Sequence, residues 1–304
     1  MFQPAPHAMR ASAVRPLLEN RGFAFPGDEK RGSFEITEAQ ARRFLAAPNV
    51  HGKPNRDVVR PWTGVADMLR TPQHQWVIDF PPGMEEREAA LYALPFAHLR
   101  RHAQPAQRRR RRWWLHGSPQ VEMRIALAKR DRFIAVPRVA KHLLFVWLPP
   151  ETLPDHALIV FARDDDWFFG VLHSRFHQVW ALRMGTQLED RPRYTPTTCF
   201  ETFPFPWPPA TPLGKLTRVQ EDQRTAIAQA ARALDGQRCE WLGDRTDKKR
   251  TLTALYNARP AWLINAHAAL DDTVAAAYGW PVGLSDDKMI ARLLALNQER
   301  SSRP

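Results

Sequence analysis

The side chains of this 304-residue sequence that are best suited to chemistry are cations, and they are concentrated in one stretch. Residues 100–142 contain thirteen Lys or Arg and only two acids, Glu122 and Asp131, which gives a local net charge of 13 − 2 = +11. The whole chain has a net charge of +12, so the remainder is almost balanced. Charge distributed in this way predicts one electropositive face. The phosphates of nucleic acids are the simplest polyanion for such a face to bind.

Two segments of this stretch carry candidate contacts. The first, 108–112, is a run of five arginines followed by Trp113 and Trp114. Because five adjacent arginines repel one another, no packed core accommodates them all. The run fits a loop that tracks phosphates, and a merely solvated loop is the alternative. The second segment, 137–142, lies between two candidate strands, where Arg and Lys suit guanine or phosphate contacts, or else form solvated strand ends.

A third group of candidates lies on a helix that apolar spacing predicts over 167–184. We expect its His173, Ser174, His177 and Arg183 to lie away from the apolar stripe. Hydrogen-bonding side chains on a rigid element are what base-edge readout in a major groove requires, and a plain surface role is the alternative. Arg60 is a further candidate, because the proline that follows it stiffens the chain. The candidate DNA contacts are therefore Arg60, Arg108, Arg109, Arg110, Arg111, Arg112, Arg138, Lys141, His142, Ser174, His177 and Arg183.

Motifs for catalysis are missing from the sequence. It contains no glycine-rich phosphate loop, no H-E-x-x-H and no G-x-S-x-G. The Pro-Pro pairs within 80–83 and 148–151 lack the polar residue and the aromatic ring with which amino-methyltransferases grip a flipped base. His173 and His177 are four residues apart, but no third metal ligand is suggested nearby, so surface histidines are the simpler interpretation. We therefore predict no catalytic residue, no cofactor site and no metal site in this chain.

Composition restricts the class of protein. Cys199 and Cys239 lie forty residues apart, which is neither a metal spacing nor a disulfide framework. No apolar run approaches the roughly 20 residues that a membrane span needs, and the first residues have no signal-peptide core. We expect a soluble, cytoplasmic protein that does not associate with membranes.

The elements that position these residues are of mixed type before residue 210. Short apolar runs predict strands at 75–80, 132–139, 143–148 and 157–162, and helical periodicity appears at 85–101, 120–129 and 167–184. Because they do not alternate regularly, they predict an α+β fold with a mixed sheet and packed helices.

A proline-dense segment at 203–212 separates a second part, in which every predicted element is a helix: 216–242, 251–257, 262–278 and 286–300. The sequence predicts two domains, 1–210 and a smaller all-helical 211–304, with residues 1–20 as a disordered lead-in.

Six segments resemble the carboxy-terminal part of MmeI-like adenine-specific DNA methyltransferases, a type II restriction–modification group that fuses modification and specificity in one polypeptide. The segments are DVVRPW (57–62), QWVIDF (75–80), PRVAKHLLFVW (137–147), FGVLHSRFHQVWALRM (169–184), YTPTTCFETFPFPW (194–207) and LYNARPAW (255–262). The resemblance runs from about residue 20 to residue 300. It implies a target-recognition domain followed by a helical carboxy-terminal segment.

In that family the catalytic domain lies upstream, where it carries the S-adenosylmethionine site and the N-P-P-Y loop. This sequence has neither, so the resemblance implies S-adenosylmethionine for the parent enzyme and no cofactor here. The leading hypothesis is therefore recognition of double-stranded DNA for an adenine methyltransferase located upstream or on another chain. A stand-alone specificity subunit acting in trans is one alternative. A single-stranded nucleic-acid binder that stacks bases on Trp62, Trp113, Trp114 and Trp167 is another.

Overall fold

The computed structural model describes residues 14–70, 72–188, 191–243 and 247–302. The strands in this part of the chain are β1 Ala24–Pro26, β2 Glu35–Ile36, β3 Val59–Thr63, β4 Trp76–Ile78, β5 Phe133–Pro137, β6 Val146–Leu148, β7 Leu153–Pro154, β8 Leu158–Phe161, β9 Thr186–Leu188 and β10 Arg191–Arg193. The helices are α1 Glu38–Ala46, α2 Val65–Leu69, α3 Glu86–Ala89, α4 Ala93–His102, α5 Pro105–Arg108, α6 Val121–Leu127, α7 Asp166–His173, α8 Arg175–Met184, α9 Arg218–Leu242, α10 Leu252–Ala258, α11 Ala261–Tyr278 and α12 Asp286–Ser301. The predicted α+β class is confirmed.

The first sheet has the strand order β1-β8-β5-β6, with every neighbouring pair antiparallel. All residues of β5 and β8 are buried. Side chains alternate between the two faces of a strand, and here both faces are covered. Ile134 and Phe161 pack against the large cluster beneath the helices. Phe133 and Val160 pack on the opposite side, against a second cluster. Double coverage explains why these strands are continuous apolar runs.

The second sheet has the order β2-β4-β3-β7, in which only β3 and β7 are parallel. One of its faces contributes Trp62 and Val77 to the cluster that it shares with the first sheet. The other face contributes Val59 and Ile78 to a third cluster, closed by Phe96 of α4. Two sheets thus enclose a common apolar layer, and each has helices on its outer side.

The predicted helix over 167–184 is divided in two at Ser174. Its backbone is extended there, with φ −66° and ψ 154°, and its hydroxyl caps α8 by accepting from the backbone N–H of His177. The hydroxyl also donates to the carbonyl of Val171 at 2.7 Å. Serine favours a helix start over a helix interior because its side chain competes for backbone groups. A local break of this kind turns α8 away from the axis of α7.

The carboxy-terminal helices pack directly on the first half of the chain. Thr217 begins α9 with a capping box, and α9 lies against α7 and α11. The contact of α7 with α9 is close at Gly170, where a Cβ would lie 2.8 Å from Ile227 Cγ2. Leu234, Leu270 and Leu293 belong to the same buried cluster as the residues beneath the first sheet. The two predicted domains therefore share one continuous core. Their division at residue 210 remains a prediction.

The two ends of the described chain are fastened to each other. The side chain of Asn297 accepts from the backbone N–H of Arg15 at 3.2 Å and donates to its carbonyl at 2.9 Å. Arg300 forms an ion pair with Glu19 at 2.9 Å. Asn20 is fully buried and donates to the carbonyl of Phe203 at 2.7 Å. Of the predicted lead-in 1–20, residues 1–13 lie outside the described residues, and the rest is held to the fold by these contacts and by the burial of Leu17.

Among the helices of the described ranges, none combines the length and the apolar composition that crossing a bilayer requires.

Candidate nucleic-acid interface

A two-stranded ribbon, β9 and β10, stands beside the basic segment 137–142. Its register pairs Arg193 with Thr186 and Arg191 with Leu188. The ribbon is tied to the first sheet by a bridge between Val139 and Arg193, and the backbone N–H of Tyr194 donates to the carbonyl of Arg138 at 2.8 Å. This pairing brings cations from three separate parts of the sequence into one neighbourhood. The ribbon surface, as we call it, consists of Arg138, Lys141, His142, Arg183, Arg191 and Arg193.

The side chains of Lys141 and His142 are fixed by one acceptor from the helical part. Lys141 Nζ donates to Asn257 Oδ1 at 2.8 Å, and His142 Nε2 lies 3.0 Å from the same oxygen. Because an amide oxygen only accepts, His142 Nε2 is the donor in this contact. Lys141 is exposed. The only polar contact of the Arg138 guanidinium within the described chain is a long one, 3.4 Å from Nη1 to the carbonyl of His156. Both cations remain able to bind phosphates or base edges.

Arg191 and Arg193 were missed by the sequence analysis. Both are exposed at the surface, with Pro192 between them. Residues two apart on a strand point to the same side, so the Arg-Pro-Arg triplet presents two guanidinium groups together. The triplet itself was the available signal. The sequence does not show that this triplet lies beside residues 137–142, because the bridge to Val139 joins residues more than fifty positions apart.

Ser174 and His177 are fully buried and His173 is only 6% exposed, so the exposure expected of all three residues is wrong. The break at Ser174 turns that face of α8 inward, toward Tyr194. His177 Nε2 lies 2.9 Å from the Tyr194 hydroxyl. Burial lowers the pKa of His177 to about 3, so it is neutral at physiological pH. The pair supports β10 from beneath the ribbon surface, while Arg183, at the end of the same helix, is exposed as expected.

The arginine run, residues 108–112, is folded rather than a free loop, and its members differ. Arg108 donates to the carbonyls of Ala103 at 2.9 Å and Arg100 at 2.6 Å, which closes the end of α4. Arg110 donates to the carbonyls of Leu115 at 2.8 Å and Arg31 at 3.2 Å. Arg112 lies 3.6 Å from Glu85. Arg109 and Arg111 are exposed. Neither makes a hydrogen bond or ion pair with any described residue.

We expect substitutions in this run to have two different effects, one on DNA binding and one on the stability of the fold. Arg109→Gln with Arg111→Gln should flatten the salt dependence of duplex binding by about 0.9 for each phosphate that is no longer neutralised, without lowering the melting temperature. Arg110→Gln should instead lower the free energy of unfolding by about 1–2 kcal/mol, because two backbone carbonyls lose their donor. Salt titrations of binding and thermal melts of the three proteins test this. Equal salt slopes for wild type and the double variant would contradict it.

Arg60 is engaged in the fold. Its Nε donates to the carbonyl of Glu151 at 2.9 Å and its Nη2 to that of Pro150 at 3.1 Å. Its Nη1 lies 3.6 Å from Asp79. The guanidinium therefore holds β3 against the turn before β7, and little of its donor capacity remains for a ligand.

A buried charged cluster lies behind Arg60. Arg124 Nη1 and Nη2 each lie 2.8 Å from a carboxylate oxygen of Asp79, and Nη2 also contacts Asp28. Burial alone would raise the pKa of Asp79, but the charge of Arg124, aided by His116, outweighs it and holds that pKa below its ordinary value. Asp28, Asp79 and His116 place ligand atoms within 4.8 Å of one another, as a metal site would. Arg124 and Arg60 together supply two positive charges that balance the two carboxylates, so the set fits an ion-pair cluster better than a cation site.

The carboxyl of Asp271 on α11 predicts a pH dependence. Burial raises its pKa to about 6, and the Arg175 backbone N–H bound to it at 2.7 Å opposes this only in part. The folded chain therefore holds a proton there that the unfolded chain loses near pH 4, so stability falls as pH rises from about 4 to 6. Asp271→Asn keeps the acceptor oxygen. It should be more stable than wild type by about 2 kcal/mol at pH 8, with no difference below pH 4.

Urea unfolding of wild type and Asp271→Asn at pH 4, 6 and 8 tests this pH dependence. Asp222→Asn, at an exposed carboxylate of α9, is the matched control and should shift the midpoint little at any pH. A constant difference between wild type and Asp271→Asn across the pH range would contradict the prediction.

Comparisons with known proteins agree with the resemblance seen in the sequence. The family model described as "MmeI, target recognition domain" matches residues 31–207, more than half of the chain. DNA methyltransferase A of Bacillus subtilis (strain 168) is 29% identical over 177 residues, which cover 56% of this chain and 18% of that protein. The fold is similar to that of the type IIL restriction-modification enzyme MmeI solved in complex with DNA, with a TM-score of 0.65 at 19% identity, covering 92% of this chain and 36% of that one. The chain belongs to the MmeI target-recognition-domain family.

Proposed function

We propose that this chain recognises a specific double-stranded DNA sequence for an adenine-specific DNA methyltransferase. The observation that carries the proposal is the ribbon surface, which assembles six basic side chains from 138–142, the end of α8 and β10 inside the region matched by the family model. Guanidinium groups on a β-ribbon suit the acceptor edges of guanine, and the neighbouring Lys and Arg suit the flanking phosphates.

Arg109 and Arg111 extend this proposal to sequence-independent affinity. Their charges are not neutralised within the described chain, so releasing counterions from phosphates is their simplest contribution. They are linked to the ribbon surface by a series of contacts. Arg110 donates to the Arg31 carbonyl, and Arg31 pairs with Glu29 at 2.9 Å. The carbonyl of the preceding Asp28 accepts from the backbone N–H of His156 at 2.9 Å, and the His156 carbonyl lies near Arg138. We propose that both groups of cations contact one extended duplex.

Methyl transfer is assigned to a part outside this chain. The chain spans only 18% of DNA methyltransferase A and 36% of the MmeI chain, so the activity of the whole enzymes is an inference for this protein. The S-adenosylmethionine site and the adenine-binding loop would belong to an upstream domain or a separate catalytic chain. The remaining alternative is a specificity subunit that supplies the same DNA contacts in trans.

The burial of three tryptophans argues against the hypothesis of a single-stranded nucleic-acid binder. Trp62, Trp114 and Trp167 are each at most 4% exposed, so their rings pack in the core and offer no platform for stacking bases. Only Trp113 among the four proposed tryptophans is partly exposed.

The test is a selection of duplexes from a random library by the purified chain, followed by binding titrations of the selected and scrambled duplexes across a range of salt. We expect enrichment of a short sequence and a preference for it of at least roughly 10³-fold, as for other specific DNA-binding proteins. Single-stranded DNA of the same sequence should bind more weakly. No enrichment, with equal affinity for all duplexes, would refute sequence recognition by this chain. Methyl transfer by this chain alone would refute the assignment of catalysis to another part.

A further inference from the structure

A cavity of about 440 Å³ lies between α8, α10 and α11, directly beside the ribbon surface. His142 belongs to both, and the neighbouring Asn257 joins it to Lys141. The cavity is lined on this side by Tyr256, His267 and Arg259, and its far end is lined by Arg175 and Asp286. It is therefore a place where the carboxy-terminal helices meet the proposed DNA surface.

Arg259 has an unusual backbone for its residue type. It caps the end of α10 with φ 46° and ψ 59°, in the left-handed region where glycine or asparagine is usual. The cap itself does not need an arginine side chain, since the bond is made by the backbone N–H to the carbonyl of Leu255. Non-glycine residues held in this region are strained and tend to occur at functional sites. The guanidinium is exposed and has no hydrogen-bond or ion-pair partner in the described chain.

The groups that face Arg259 leave the near end of the cavity positive. The Tyr256 hydroxyl lies 2.9 Å from His267 Nε2. Burial, then the charges of Arg238 and Arg259, lower the pKa of His267 to about 4, so this histidine is neutral. The carboxylate of Asp286 at the far end is held by Arg175 through two bonds of 2.8 Å. Asp271 is bound to the backbone N–H of Arg175. An oxyanion at the near end would therefore meet unneutralised positive charge.

We propose that Arg259 binds a backbone phosphate of the duplex at the mouth of this cavity, beside His142, so that the carboxy-terminal helices form part of the DNA-binding surface. This inference rests on the proposed function. It explains why a strained cap position carries arginine: the backbone strain is offset by a charge placed at the edge of the ribbon surface. A phosphate contact carries no sequence information, so its removal should weaken binding to all duplexes alike.

The decisive variant is Arg259→Gly, which relieves strain while it removes charge. We expect its melting temperature to rise, because glycine accepts positive φ without strain. We also expect its duplex binding to weaken equally for the selected and scrambled sequences, with a salt slope smaller by about one. Opposite effects on stability and binding are not expected of a residue with a purely structural role. Arg259→Lys should keep the wild-type salt slope.

Arg218→Ala is the matched control. It removes another exposed arginine, at the start of α9. This position is twenty residues, or about 30 Å along the helix, from Arg238, whose charge acts on His267 in the cavity. Its salt slope should equal that of wild type. The inference is overturned if Arg259→Gly keeps the wild-type slope or melts at a lower temperature. It is also overturned if inorganic phosphate raises the melting temperature of wild type but not of Arg259→Gly, while the two proteins have the same salt slope for duplex binding. The site would then bind free phosphate and not the DNA backbone. Failure of wild type to bind any duplex would refute the proposed function instead.

Discussion

Replacing Arg191 and Arg193 together by alanine should sharply reduce discrimination between the selected duplex and its scrambled counterpart. A bidentate contact of arginine to guanine contributes about 1–3 kcal/mol of discrimination, so removing two such contacts should weaken binding to the selected duplex by roughly 100-fold or more. Binding to the scrambled duplex should weaken far less. The fold should persist, because both side chains are exposed on the ribbon and neither belongs to a buried cluster.

Fluorescence anisotropy with both duplexes, at three salt concentrations, measures this effect. The double variant of Arg109 and Arg111 is the matched control, since it removes the same charge from the same protein. It should reduce the salt slope and leave the ratio of the two affinities unchanged. If the Arg191 and Arg193 variant loses affinity equally for both duplexes, these arginines contact phosphates, and the base-reading role assigned to the ribbon is wrong.

Asp79→Asn should be the most destabilising single change that we predict, lowering the free energy of unfolding by about 3–5 kcal/mol. Asp79 is 2% exposed and accepts two bonds from Arg124. Removing its charge leaves the buried guanidinium with Asp28 alone, and the amide cannot replace the second charged partner. Urea unfolding at pH 7 measures the loss as a lower midpoint.

Glu38→Gln provides the control for this change. Glu38 pairs with Arg42 at 2.5 Å on the exposed face of α1, where removing the pair should change the free energy of unfolding by less than about 1 kcal/mol. A comparable effect of the two substitutions would contradict a structural role for the buried cluster.

The pKa of Asp79 is lowered in the folded chain, so the contribution of its charge to stability is complete above its unfolded pKa near 4 and is lost as pH falls further. The difference between wild type and Asp79→Asn should therefore shrink on acidification.

Strongly patterned elements could be predicted from the sequence, and the weakly patterned ones could not. The apolar runs of β5 and β8 and the charge-patterned helices α9 and α12 were found because each carries its own local signal in the sequence. The two-residue strands β2 and β7 carry none, since they form only through pairing with distant partners. The break at Ser174 was missed because the apolar spacing continues across it.

The candidate site followed the same pattern. Arg138, Lys141 and Arg183 reach the surface as the sequence predicted, because local charge is a good guide to exposure. Ser174 and His177 do not, since a helical projection cannot reveal that Tyr194 covers that face of α8. Nor could the sequence separate Arg110, which stabilises the fold, from Arg109 and Arg111, because it does not show that Arg110 binds the carbonyls of Leu115 and of the distant Arg31.

The fastening of Arg15 to Asn297 gives the unit the geometry of an exchangeable cassette. A polypeptide whose two ends meet can be grafted into another scaffold at a single seam, without altering the distance that the host must span. Under the proposed function, exchanging such a cassette would transfer one DNA specificity as a whole and leave the architecture of the host undisturbed.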